Sequence, residues 1–106
     1  MSKLSMPRPR YVAFRIEGPK ELPRRAVGNA LRAASKGWAE GTAPQLTRYA
    51  WPHGIVRVEH THAAAARKLL DGLRDIEGRV QVTTLSTSGT LRALTQRIGV
   101  LQQRTD

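Results

Sequence analysis

"QLTRYAWPHGIVRVEH", Gln45 to His60, holds two strand-like runs on either side of Pro52, His53 and Gly54. Turn-forming residues between two such runs predict a β-hairpin. In the second run Val56 and Val58 share one side and Arg57 takes the other. A hairpin with one apolar face needs a second layer to cover it. The flanking sequence supplies one.

Upstream, "RYVAFRI" (10–16) alternates Val12, Phe14 and Ile16 against Tyr11, Ala13 and Arg15, the period of a half-buried strand. After the turn "EGP", the run "KELPRRAVGNALRAASKG" spaces Val27, Ala30, Leu31 and Ala34 as one helical face. Pro23 suits the first helical turn and Gly37 the stop, with Arg25, Arg32 and Lys36 outward. Downstream, "THAAAARKLLDGLRDIEG" predicts a second helix, capped by Thr61, carrying Ala66, Leu69, Leu70, Leu73 and Ile76 inward and ending at Gly78. "RVQVTTL" alternates Val80 and Val82 against Gln81 and Thr83, and a final stripe joins Leu91, Leu94, Ile98 and Leu101.

The order is βαββαβ with a C-terminal helix. It predicts an α/β, ferredoxin-like two-layer sandwich of the kind RNA-recognition modules share. Residues 10–106 form the single domain, and "MSKLSMPRPR" leads into it as a basic flexible arm over residues 1–9. A chain of 106 residues buries roughly two-thirds of its unfolded surface, enough for one core. With the valines facing the helices, the other sheet face carries Tyr11, Arg15, Arg48 and Arg57, partly under the C-terminal helix.

Charge points to the partner. Eighteen Lys and Arg against eight Asp and Glu give +10, and residues 1–53 hold +7 of it. Such a field selects polyanions. The absence of cysteine excludes disulfides, thiol nucleophiles and cysteine metal sites, and favours an intracellular, cytoplasmic setting. No apolar run approaches the roughly 18 residues of a membrane span.

An open basic sheet face suits RNA, but "GIVRVEH" lacks the aromatic residues on which recognition modules stack bases. Phosphate contact is therefore expected, and arginine suits it because its planar fork can grip two oxygens and stays charged. The candidate RNA-binding residues are Arg8, Arg10, Arg15, Arg48, Arg57 and Arg92, with the turn Ser88, Gly89, Thr90. That turn precedes a periodic run from Leu91, so Ser88 or Thr90 serves as a helix cap, alone or while also gripping an anion. No "GxSxG" elbow surrounds Ser88, and no catalytic residue is expected.

His53, His60 and His62 read as surface histidines: "HTH" resembles half of a paired phosphoesterase motif whose second half is missing, and only Glu59 stands by as a third ligand. No metal site is expected. Trp51 is expected to pack at the core or sheet edge. Trp38, in a glycine-flanked loop, is the candidate protein-interface residue if exposed, with burial under the loop as the alternative.

Taken together, "RYVAFRI", "GIVRVEH" and "STSGTLRAL" (86–94) resemble the ribonuclease P protein component 2 family of archaea and eukaryotes, and "GWAEGTA" looks like that family's Gly-Glu-x-Gly segment. The resemblance runs from about residue 10 to residue 99. It implies a non-catalytic subunit of an RNA–protein complex that removes 5′ leaders from precursor tRNA, with magnesium held by the RNA. It also implies ribonuclease P RNA and a TIM-barrel protein subunit as partners, self-association through that heteromer, phosphate contact for Arg57, and a structural or anion-binding turn at 88–90. The chain departs from many members at Val58, where a cysteine is common, and at both ends. The missing cysteine and tail lean toward an archaeal origin. A competing expectation is a ferredoxin-like regulatory module binding a small ligand at the Gly37–Gly41 loop, which leaves +10 without a purpose.

Overall fold

The computed structural model describes residues 8–39 and 41–97. Strand β1 (Pro9–Glu17) is followed by helix α1 (Arg24–Ala34), the hairpin of β2 (Gln45–Ala50) and β3 (His53–Glu59), helix α2 (Ala63–Asp71), strand β4 (Gln81–Ser88) and helix α3 (Leu91–Arg97). The four strands make one antiparallel sheet in the order β2-β3-β1-β4. A four-stranded antiparallel sheet with these helices is consistent with a ferredoxin-like sandwich.

The two-residue alternation of β1 and β3 builds two cores. Val12, Phe14, Ile16, Val56, Val58 and Val82 join Val27 and Leu31 of α1 and Ala66 and Leu70 of α2 in the main one. On the opposite sheet face Ala13 and Ile55 are sealed by Leu94 of α3, all fully buried. The C-terminal helix thus covers the centre of the second face. Ile98 and Leu101, expected on the same stripe, and most of the N-terminal arm lie outside the described residues.

The hairpin forms, but its loop is Trp51 and Pro52: His53 and Gly54, expected in the turn, belong to β3, where His53 pairs with Ala50 and Gly54 with Tyr49. Trp51 is half-buried against the main core. Tyr49 turns inward and its hydroxyl donates to the Leu22 carbonyl at 2.7 Å. Burial first, and then the nearby Glu21 carboxylate, push its pKa up to about 12. Gly54 pairs with Phe14, whose ring occupies the space a β-carbon would need: a Cβ at Gly54 would lie 2.5 Å from Phe14 Cζ. Only glycine fits beneath that ring.

Several element ends differ from expectation. Helix α1 ends at Ala34, which is exposed, because the buried Ser35 hydroxyl donates to the Leu31 carbonyl at 2.8 Å as the chain turns toward Gly37. Pro23 is the N-cap itself, and its carbonyl accepts from Ala26. Residues 60–62 form a 3-10 turn, so His62, not Thr61, precedes α2.

That helix stops at Gly72, not Gly78. The Asp71 carboxylate accepts from the backbone and hydroxyl of Thr84 at 3.1 and 3.2 Å, which ties the helix end to β4. The chain then makes a separate turn through Glu77 and Gly78, both at positive φ, while Ile76 still reaches the core. Strand β4 in turn runs on through its hydroxyl residues to Ser88, because Tyr11, Val12 and Ala13 of β1 offer it a ladder.

Candidate nucleic-acid interface

Three strands bring Arg57 to one end of the second sheet face. It lies opposite Tyr11 on β1 and Gln45 on β2, and its side chain is exposed. Tyr11 also faces Ser88 across β4, so Arg57, Tyr11 and the 88–90 turn stand in one row. Arg48 lies opposite Ile55, half-buried, along the edge strand β2. Arg92 is exposed on α3. The result is a closed apolar centre with a basic rim. Flat base stacking has no room under α3, whereas phosphates can approach the rim.

The turn that precedes α3 works first as a cap. Ser88 Oγ accepts from the Thr90 N–H at 3.2 Å, and Thr90 Oγ1 accepts from the Ala93 N–H at 3.2 Å. Thr90 is therefore the N-cap in bonding pattern, three residues before its donor. The Arg10 guanidinium fills the space beside Gly89, where a Cβ would lie 2.7 Å from its Nη1. Arg10 belongs by alternation to the helix-facing side of β1, opposite Val58, and not to the face with Arg57. It reaches the turn from the other side of the sheet end. Arg8 is exposed beside it, and its carbonyl accepts from the His60 N–H at 2.8 Å.

Arg15 is separated from this group. It sits five residues further along β1, roughly 16 Å from Arg10 at strand rise, opposite His53 and Thr83. Its guanidinium pairs with Glu17 at 2.8 Å, which offsets its charge. His53 Nδ1 is buried and has no hydrogen-bond partner. Burial first, and then the positive charge of Arg15, lower its pKa from the ordinary 6.5. A lowered pKa means the folded chain keeps this ring neutral, with a stability contribution complete above pH 6.5 and lost as pH falls through the folded value. Thermal melts from pH 7 to 5 should therefore fall more steeply for the native chain than for His53→Gln. Equal slopes would remove His53 as the cause.

Trp38 is half-buried: it packs against the main core, and its ring centroid lies 5.9 Å from that of His62 at a 34° tilt. His62 Nδ1 is 3.5 Å from Glu59. Among the described residues no three His, Cys, Asp or Glu side chains gather as a metal site, and no helix is long and apolar enough to cross a membrane.

Two arginines that join separate elements carry no signal in the sequence. Arg67 donates to Thr87 at 2.7 Å, on the helix side of β4, and Arg24 donates to the Leu46 carbonyl at 3.0 Å, binding α1 to β2. No periodic pattern marks either, since both partners are distant in sequence.

No family model matches the chain. It is 32% identical over 89 residues to Ribonuclease P protein component 2 of Methanocaldococcus jannaschii, covering 78% of this chain and 66% of that protein's length. Its fold is similar to that of a chain in the cryo-EM structure of yeast Ribonuclease MRP, with a TM-score of 0.62, 12% identity, and coverage of 94% of this chain and 95% of that one. The motifs in β1, β3 and the β4–α3 turn point to the same family. The chain belongs to the ribonuclease P protein component 2 family.

Proposed function

We propose that the chain is a non-catalytic, RNA-binding protein subunit of ribonuclease P that supports the catalytic RNA in removing 5′ leaders from precursor tRNA. The observation that carries this reading is the basic rim around a sheet face whose centre is closed by Leu94. Kinship with an archaeal ribonuclease P component and a net charge of +10 support it.

Arg57 and Arg48 grip phosphates along the β2 side, and Arg8, Arg10, Arg92 and the Ser88–Thr90 turn extend the contact past the sheet end. Arg15, already paired, contributes least. Neutralising closely spaced phosphates lowers the repulsion that opposes a compact RNA fold, so the chain acts on the RNA's shape and performs no bond chemistry. Magnesium belongs to the RNA. A TIM-barrel protein subunit is the expected protein partner, with Trp38 as its contact, in the cytoplasm of an archaeon.

Affinity purification of the chain from its native cells tests the assignment. One structured RNA, accompanied by precursor-tRNA cleavage, is the expected yield. Purified chain and that RNA should also show affinity falling linearly with salt on logarithmic axes, by about 0.7 to 0.9 per phosphate engaged. A flat salt response, or recovery of no specific RNA, would refute the proposal.

A further inference from the structure

A second basic surface lies on the other side of the β2 edge. A cleft of about 810 Å³ opens between α1 and the segment leading into β2, lined by Arg24, Arg25, Gly28, Asn29 and Arg32 among others. On a helix, positions three and four residues apart are neighbours. Arg24, Arg25 and Arg32 stand at −4, −3 and +4 from Gly28, so three guanidinium stems ring one bare stretch of backbone.

Gly28 has no packing reason to be glycine. Nothing lies within 4 Å of where its Cβ would be, and its φ is not in the left-handed region. A glycine inside a helix is unfavourable relative to alanine, so its retention in an open, basic cleft fits a group that must come close to the backbone. The charges around it are not neutralised: among the described residues Arg24, Arg25 and Arg32 have no carboxylate partner within ion-pair distance. Arg24 spends one nitrogen on the Leu46 carbonyl, and Arg32 bonds Asn29 Oδ1 at 3.5 Å.

The cleft is continuous with the interface already described. Gly41, Ala43 and Gln45 line it on one side, and the same three residues line a smaller hollow of about 260 Å³ that contains Arg57. We propose that the α1–β2 cleft is a second seat for the RNA phosphodiester backbone, with a phosphate over Gly28 held by Arg25 and Arg32, so that one RNA strand passes from Arg57 around the start of β2 onto α1. This rests on the RNA-binding reading and adds to it a separate face of the protein. An acidic protein segment would meet the same charge. A phosphate chain is favoured because the seat is a glycine-lined one joined to the hollow that holds Arg57.

The test uses the full chain with bulk transfer RNA as the probe, measuring affinity from 0.05 to 0.3 M salt for Arg25→Gln/Arg32→Gln, Gly28→Ala and, as a reference, Arg48→Glu/Arg57→Glu. The first variant should lose about tenfold in affinity at 0.1 M salt and flatten the logarithmic salt slope by about 0.7 to 0.9, the loss of the one phosphate that both arginines hold. Gly28→Ala should melt several degrees higher and yet bind about threefold more weakly, a combination a merely structural glycine does not produce. If Arg25→Gln/Arg32→Gln binds as the native chain does while the reference variant loses affinity, the second seat is refuted and RNA binding stands. If the native chain itself shows no salt-dependent binding, both readings fall. If RNA affinity is kept but a protein that co-purifies with the native chain is lost, the cleft serves a protein and the proposal is overturned.

Discussion

Replacing Arg48 and Arg57 together by glutamate is expected to lower RNA affinity by about two orders of magnitude at 0.1 M salt, with the melting temperature nearly unchanged. On the proposed reading each arginine donates charge-assisted hydrogen bonds to phosphate, stronger than neutral ones, and reversal of sign adds repulsion from the same oxygens. Neither guanidinium has a hydrogen bond or ion pair to another described side chain whose loss would unsettle the fold. Alanine at both positions should give a smaller loss, since contact goes but repulsion does not enter. Nitrocellulose filter binding against salt separates the two terms: the alanine variant loses slope, and the glutamate variant loses slope and intercept. Unchanged binding in both would remove the sheet rim from the RNA surface.

The second large effect is on stability. Gly54→Ala should cost about 1 to 3 kcal/mol, the usual penalty for inserting a group into a filled core. The new methyl would sit 2.5 Å from Phe14 Cζ and about 3 Å from both neighbouring ring carbons. Phe14 is 1% exposed and surrounded by α1 and α2 residues, so the ring has nowhere to withdraw. At this chain length that destabilisation lowers the melting temperature by several degrees per kcal/mol. Phe14→Leu should relieve the overlap, so the double variant should be more stable than the sum of the single effects predicts. Strict additivity in thermal or urea unfolding would show that the ring is not the obstacle.

Much of this arrangement was readable along the chain because it is periodic. The two-residue alternation of Val12, Phe14 and Ile16, and of Val56 and Val58, places those side chains inward wherever the strand lies, and all five are buried. The helical spacing of Val27 with Leu31 and of Ala66 with Leu70 has the same consequence. The ends were less legible. Leu73 and Ile76 continue the stripe of α2, yet the helix stops at Gly72 because Asp71 bonds Thr84, a residue thirteen positions on. The polar run of β4 reads as a loop until β1 gives its backbone groups partners.

The site divides along the same line. Composition and order alone determined the charge, the arginines, the capping hydroxyls before Leu91 and the family resemblance, since each depends on residue type or on neighbours within a turn. Only the tertiary structure decided which arginines stand together: Arg57 beside Tyr11 and Gln45, Arg10 reaching Gly89 from the opposite side, and Arg15 far away and paired with Glu17. It alone showed that Gly28 floors a cleft shared with the approach to β2. The pairings that build the site join residues far apart in sequence, from Gln45 with Arg57, 12 positions, to Tyr11 with Ser88, 77 positions, and local sequence carries no term for such a distance.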